Sequence, residues 1–265
     1  MPKSFEYVPT GEYRPVMQRF CSCMKKVAEA IKEIELEDGN EPQIKFSWGF
    51  VGSANRYGEV FITREVGGNK DFDLDINIYL DRTQEDIEWY PEYVRNVFYR
   101  AIDKVFFPMG YKHPEDRTSV IRVKFLYKKD KAIEHSCDFA IFQQISDKNG
   151  NLVEKYARKN DNGTYCWSIR GGKNDEAAEK FEWLNDNVGD NAGLDEEPVD
   201  DDYESTDGEY PYYYAEGCSL LSDLSSEYLK LKNNNGDPEK CSFQLFNEAI
   251  NNIYNQWKQY IEKDC

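Results

Sequence analysis

"GFVGSANRYGEVFITREVGGNKDFDLDINIYL", residues 49–80, decides the reading of this chain. Its last ten residues alternate acid and hydrophobe. On a strand, successive side chains point to opposite faces, so Asp71, Asp73 and Asp75 share one face while Phe72, Leu74, Ile76 and Ile78 share the other. The apolar face needs a core to pack against. The acidic face costs mutual repulsion, and that cost calls for an explanation. A solvated outer face of an antiparallel sheet is the plain one. A calcium loop of the EF-hand kind is excluded. Counting from Asp71, its sixth position needs glycine and its twelfth glutamate, where this chain has Ile76 and Arg82. The alternative to a solvated face is a pair of divalent cations held by carboxylates from neighbouring strands, which would clamp a phosphoryl group in transfer.

Such a site needs a third acid. Asp138, in "SCDFAIF", stands between Cys137 and Phe139 in an otherwise apolar strand. Acids in that setting rarely serve packing. Upstream, "FSWGFVGS" reads as a strand that delivers Gly52 and Ser53. A glycine lets backbone approach phosphate closely, and successive amides with a serine hydroxyl donate to its oxygens.

Around these residues the pattern alternates helix and strand. Met17, Phe20, Met24, Val27, Ile31 and Ile34 form one stripe of a long first helix, ended by "EDGNEP". "EVFITREV" reads as extended, and with the "GGN" turn before the acidic strand it reads as a hairpin. Pro91 suits the first turn of a helix whose buried face is Val94, Val97, Phe98, Ala101, Ile102 and Val105. "SVIRVKFLYK" and "EHSCDFAIFQQI" are two more strands, with a turn near "KKDK". Three helices are expected later, over "NDEAAEKFEWLND", "CSLLSDLSSEYLKLK" and "SFQLFNEAINNIYNQWKQYI". The fold class is therefore α+β: a mixed sheet with flanking helices over residues 1–145, then a helical C-terminal region over 146–265.

Composition sets further bounds. The 265 residues, 40% hydrophobic and 15% aromatic, can bury a substantial core. Seven cysteines without a C-x-x-C pair, and only two histidines, disfavour a zinc site and suggest a reducing, cytoplasmic setting. No run approaches the roughly 18 apolar residues of a membrane helix, and the first residues lack the apolar core of a secretory signal. With 33 basic against 50 acidic side chains, the net charge is −17, which disfavours long nucleic acid as a partner. Leu194–Pro211, inside an acidic insert at about 190–212, contains no Lys or Arg and reads as a solvated spacer, with metal binding or partner mimicry as its alternative role.

In order and placement, "FVGS", "FDLDI" and "CDF" resemble the DNA polymerase beta-type nucleotidyltransferase superfamily, which includes minimal nucleotidyltransferases and cyclic-dinucleotide synthases. Its pattern is hydrophobic-Gly-Gly/Ser, then two acids flanked by hydrophobes, then one more such acid on a later strand. The linker after Ser53 is longer than in compact members. The resemblance implies a transferase that moves a nucleoside monophosphate from an NTP to a hydroxyl with release of pyrophosphate, using Mg²⁺ or Mn²⁺. Asp73, Asp75 and Asp138 are then the catalytic metal ligands. Asp71 with Asp73 is the alternative register, as in members that read S-D-h-D-L. Gly52 and Ser53 would hold the triphosphate, with Lys232 and Ser242 of the helical region as further contacts. "WSIRGGK" offers Arg170 and Lys173, with Trp167 as a base-stacking candidate, and Arg56 stands beside Gly52–Ser53. The acceptor is left open among a small molecule, a protein side chain and a second nucleotide. A non-catalytic nucleotide-sensing or interaction module on the same fold is the rival reading.

Overall fold

A computed structural model of the chain describes residues 4–54, 60–67, 71–81, 89–126, 133–146, 152–169, 175–188, 219–237, 240 and 242–264. It divides into two compact units, Lys3–Gly172 and Lys173–Cys265.

The first unit begins with β1 (Phe5–Tyr7) and the 28-residue α1 (Thr10–Glu37). There follow β2 (Phe46–Val51), a 3₁₀ turn at Gly52–Ala54, β3 (Thr63–Glu65) and β4 (Phe72–Leu80). Helix α2 (Pro91–Phe106) leads to β5 (Glu115–Asp116), β6 (Ile121–Leu126) and the long β7 (Ile133–Ser146). Last come β8 (Leu152–Lys159) and β9 (Tyr165–Ile169). The main sheet has the order β2-β4-β7-β6-β5, and β8 pairs with the far end of β7 and with β9. β4 and β7 are parallel, while β2 on β4 and β6 on β7 are antiparallel.

The α1 stripe is buried as its periodicity requires, from Met17 through Ile34. So is the α2 face, with Val105 only half-buried. Both helices join one core with Leu74, Ile76 and Ile78 of β4 and Cys137, Phe139 and Ile141 of β7. The helices therefore cover the apolar face of β4 and leave its acidic face to the other side. Glu35, buried near the end of α1, accepts hydrogen bonds from the amides of Gln43 and Ile44. This satisfies the chain where it turns from α1 towards β2, as buried backbone groups require. Arg95 on α2 is buried as well. It pairs with Asp116 and donates to the carbonyls of Arg117, Val120 and Ala157, tying α2 to β5 and β8.

Two strand expectations change. "EVFITREV" does not form a hairpin with the acidic strand: Thr63–Glu65 pairs with Phe5–Tyr7, because the flanks of β4 are already taken by β2 and β7. The sheet also continues past residue 145 through the β8–β9 hairpin, and its compact unit reaches Gly172. The hairpin turn carries Asn162-Gly163, with Gly163 at φ 84° and the Asn160 amide on the Thr164 carbonyl. Asn-Gly is a strong short-range hairpin signal.

The second unit contains α3 (Asp175–Asn187), α4 (Ser219–Asn234) and α5 (Ser242–Asp264). α5 packs on both α3 and α4, and the expected apolar positions Leu220, Leu224, Leu245, Phe246, Ala249 and Ile250 are buried. Among the described residues, no helix is long and apolar enough to cross a membrane. The acidic insert lies outside the described residues.

Beneath the start of β4, His135 is fully buried between the rings of Phe72 and Phe125, and its Nε2 is 2.9 Å from the Tyr111 hydroxyl. Burial first, and Arg19 second, lower its pKa from 6.5 to about 4. The neutral form is thus favoured by folding, and the unfolded chain binds the extra proton between these values. Stability contributed by this residue is full above pH 6.5 and is lost as pH falls towards 4, by about 3 kcal/mol. Urea unfolding of the wild type and of His135→Gln, compared at pH 7 and pH 4, measures this. The wild type should lose about 3 kcal/mol more than the variant over that interval. Equal losses would show that His135 does not carry the dependence.

Candidate active site

The parallel register of β4 and β7 builds the site. Asp73 lies opposite Ser136, and Asp75 lies opposite Asp138. In a parallel pair, residues at matching register share a face, so all three acids rise from the side away from the helices. Asp73 is exposed, and Asp75 and Asp138 are half-buried. Cys137, beneath them, has its thiol pushed well above the ordinary range, by burial first and then by Asp75, Asp138 and Asp73. Asp71 is half-buried and precedes the first paired residue of β4.

Gly52 follows β2, whose last residue Val51 lies opposite Asp75. Its φ is +65°, which favours glycine, and a Cβ there would meet Asp75 Oδ2 at 2.6 Å. The glycine thus brings backbone against the acid strand. Ser53 is half-buried, and its carbonyl accepts from the Phe61 amide at 2.7 Å. Arg56 lies outside the described residues, as do Arg170 and Lys173. Trp167 belongs to β9, is half-buried against the core and donates through Nε1 to the Trp89 carbonyl. Lys232 and Ser242 belong to the second unit. There Lys232, in the last turn of α4, reaches Ser242 at the start of α5, with Nζ 3.4 Å from Oγ.

Two partners of the acids were not anticipated. Ser136 donates to Asp73. Arg122, directly opposite Asp138 on β6, forks onto it with Nε 2.5 Å from Oδ1 and Nη2 2.6 Å from Oδ2. That bond, more than any other contribution, holds the Arg122 guanidinium above its already high range. Two residues along, Lys124 pairs with Glu115, which also takes Arg117. Arg122 and Lys124 alternate in "IRVKF" as the acids alternate in "DLD", but only the pairing of β6 with β7 sets Arg122 opposite Asp138.

The residue types and register fit a divalent cation: three carboxylates on one face of two adjacent strands, hard oxygen donors of the kind Mg²⁺ prefers. As the side chains stand, they do not converge. Among the described residues, no three His, Cys, Asp or Glu side chains are grouped closely enough to hold a metal ion. Arg122 and Ser136 hold two of the three acids.

No protein-family model matches the chain, and no curated protein matches it by sequence. Its fold is found among solved structures. Escherichia coli DncV in its 3'-deoxy GTP bound form matches with a TM-score of 0.53 and 10% identity, over 95% of this chain and 69% of that one. The Bradyrhizobium diazoefficiens CD-NTase CdnG in complex with GTP matches with a TM-score of 0.52 and 11% identity, over 92% and 67%. The Vibrio cholerae DncV cyclic AMP-GMP synthase has a TM-score of 0.48 at 12% identity, and the match covers 69% of this chain and 59% of that one. The chain therefore spans roughly three-fifths to two-thirds of the length of these structures. They are CD-NTases of the polymerase beta-like nucleotidyltransferase superfamily, and this chain has their fold.

The Gly52–Asp75 approach is testable by a double-mutant cycle. Gly52→Ala strains a positive φ and displaces the Asp75 carboxylate, and should cost about 1–2 kcal/mol. In an Asp75→Ala background the carboxylate is gone and the nearest remaining atom is Cβ at 3.5 Å, so only the backbone strain persists. The cost of Gly52→Ala should then be smaller, by at least about 0.5 kcal/mol in chemical denaturation. Additive costs would place Gly52 away from Asp75.

Proposed function

We propose that this chain is a metal-dependent nucleotidyltransferase that moves a nucleoside monophosphate from an NTP to a hydroxyl acceptor and releases pyrophosphate. The observation that carries the reading is the register of β4 on β7, which sets Asp75 beside Asp138 and Asp73 one step along the same face. The fold, with the GTP bound by the neighbouring CdnG and the 3'-deoxy GTP bound by Escherichia coli DncV, supports an NTP as the donor.

Asp73 and Asp75 would hold the cations, and Asp138 would serve the acceptor side. Mg²⁺ or Mn²⁺, when bound, supplies charge neutralisation on the phosphates and a lowered pKa for the attacking hydroxyl. Placing these carboxylates on two paired strands fixes their spacing, which is what in-line attack demands of its supports. The Gly52 turn brings main chain up to Asp75, where a triphosphate shared between cation and backbone would lie. Lys232 and Ser242, which meet within the second unit, would be further phosphate contacts on this reading. Asp73 with Asp75 is favoured over Asp71 with Asp73, because Asp75, not Asp71, lies opposite Asp138 and against Gly52. Acceptors of low charge or small size suit a chain of net charge −17 better than a long duplex.

One observation favours the rival reading. An acid forked by an arginine is a stable resting partner, and a nucleotide-holding module without turnover would keep Asp138 in that way. Incubation of the purified chain with each labelled NTP and Mg²⁺ or Mn²⁺, with products identified by mass, separates the two. Asp73→Ala, Asp75→Ala and Asp138→Ala should each cut turnover by at least about a hundredfold, roughly 2.7 kcal/mol, with a retained cooperative melt. Turnover near wild type in two of the three would overturn the site. A dead Asp71→Ala beside an active Asp75→Ala would move the site by two residues.

A further inference from the structure

Arg122 is the charged group beside the acids for which the proposed transfer gives no role. Its side chain is 25% exposed and that of Asp138 is 15% exposed, so the pair is largely out of water. A planar fork of two charge-assisted bonds in that setting is far stronger than an exposed ion pair. It occupies both oxygens of the carboxylate. Asp138 cannot turn fully towards Asp75 while both bonds stand.

The surroundings narrow what Arg122 can do. Lys124, its neighbour on the same strand face, is paired with Glu115, and Glu115 also holds Arg117. Asp73 adds its field to that of Asp138 on the guanidinium. If a cation draws Asp138 away, Arg122 is left half-buried and needs another anion, because an unpaired buried charge is costly. The anion that arrives with the cation in this chemistry is a phosphate.

We propose that Arg122 is a positioning residue: it holds Asp138 in competition with the divalent cation, and when released it pairs with a phosphate oxygen of the nucleotide. This rests on the nucleotidyltransferase reading. The consequence is coupling. The cation binds weakly alone and strongly with nucleotide, because only the nucleotide compensates the displaced arginine. No bond is made or broken beyond this exchange of ion pairs.

The test compares the full-length wild type with Arg122→Met, Arg122→Lys and Lys124→Met, the last as a control that removes one positive charge from the same strand. Mn²⁺ alone is titrated and followed by electron paramagnetic resonance, and kcat/KM for NTP is measured separately. Arg122→Met should bind Mn²⁺ at least about tenfold tighter than Lys124→Met does, about 1.4 kcal/mol, while its kcat/KM falls at least about tenfold below wild type. Tighter metal with poorer catalysis is a pairing that a merely structural role does not produce. Arg122→Lys keeps the charge but not the fork. It should bind Mn²⁺ more tightly than wild type and retain more kcat/KM than Arg122→Met, and it decides the matter if Arg122→Met does not fold. Mn²⁺ affinity in the Arg122 variants no higher than in their controls overturns the proposal, including the case in which none of the proteins binds Mn²⁺. Wild-type NTP turnover with unchanged metal affinity in the variants sinks the Arg122 role alone. Absence of turnover and of Mn²⁺ binding in every protein sinks the nucleotidyltransferase reading as well.

Discussion

The parallel pairing of β4 with β7 is the constraint on which the rest depends. Side chains alternate along both strands, so one register serves two purposes. It sends Leu74, Ile76, Cys137 and Phe139 into the helix-covered core, and Asp73, Asp75 and Asp138 to the opposite face. A slip of one residue in β4 would put its acids into the core and its hydrophobes into water. The burial of the apolar set therefore fixes the placement of the acidic set. The acids need no special device to be positioned; they inherit their geometry from packing.

Charge on the acid face is balanced locally. Arg122 answers Asp138, Ser136 gives Asp73 a hydrogen bond, and Lys124 with Arg117 answers Glu115. Close carboxylates otherwise oppose one another's ionisation. The same sheet shows a second, structural solution to buried charge, in which Arg95 spends its donors on Asp116 and three backbone carbonyls. The two arginines differ in their alternatives. Arg95 is locked by bonds to Asp116 and to three backbone carbonyls, whereas the two-pronged fork of Arg122 goes to a single carboxylate, which on the proposed reading a cation would draw elsewhere.

Much of this was legible in the sequence, for reasons that can be named. The α1 and α2 stripes and the alternation of β4 report a single buried face each, and such faces persist whatever the tertiary partner. Asp138 stood out because its neighbours were all apolar. Strand partners were less legible: Thr63–Glu65 is three residues long, and nothing local says that it pairs with Phe5–Tyr7. The β8–β9 hairpin is half-buried and rich in charge, so hydrophobic periodicity missed it, although Asn162-Gly163 marked its turn. Arg122 was missed for a different reason. A basic residue on a strand says nothing alone; its meaning arises only when β6 pairs with β7 and sets it opposite Asp138.

The net charge of −17 and the local arrangement then fit together. Long-range attraction cannot bring a triphosphate to so acidic a protein, but fields between exposed charges are screened over roughly 8 Å at physiological salt. Capture of a nucleotide, as proposed, would then rest on short contacts such as the backbone turn at Gly52. If each nearby side-chain cation were held by a strong acid at all times, none could serve a substrate. A fork onto a carboxylate that a cation would also claim, as proposed for Asp138, would escape this difficulty. On the proposed reading it would keep the half-buried arginine paired in the resting protein and would make its charge available when metal and phosphate arrive together.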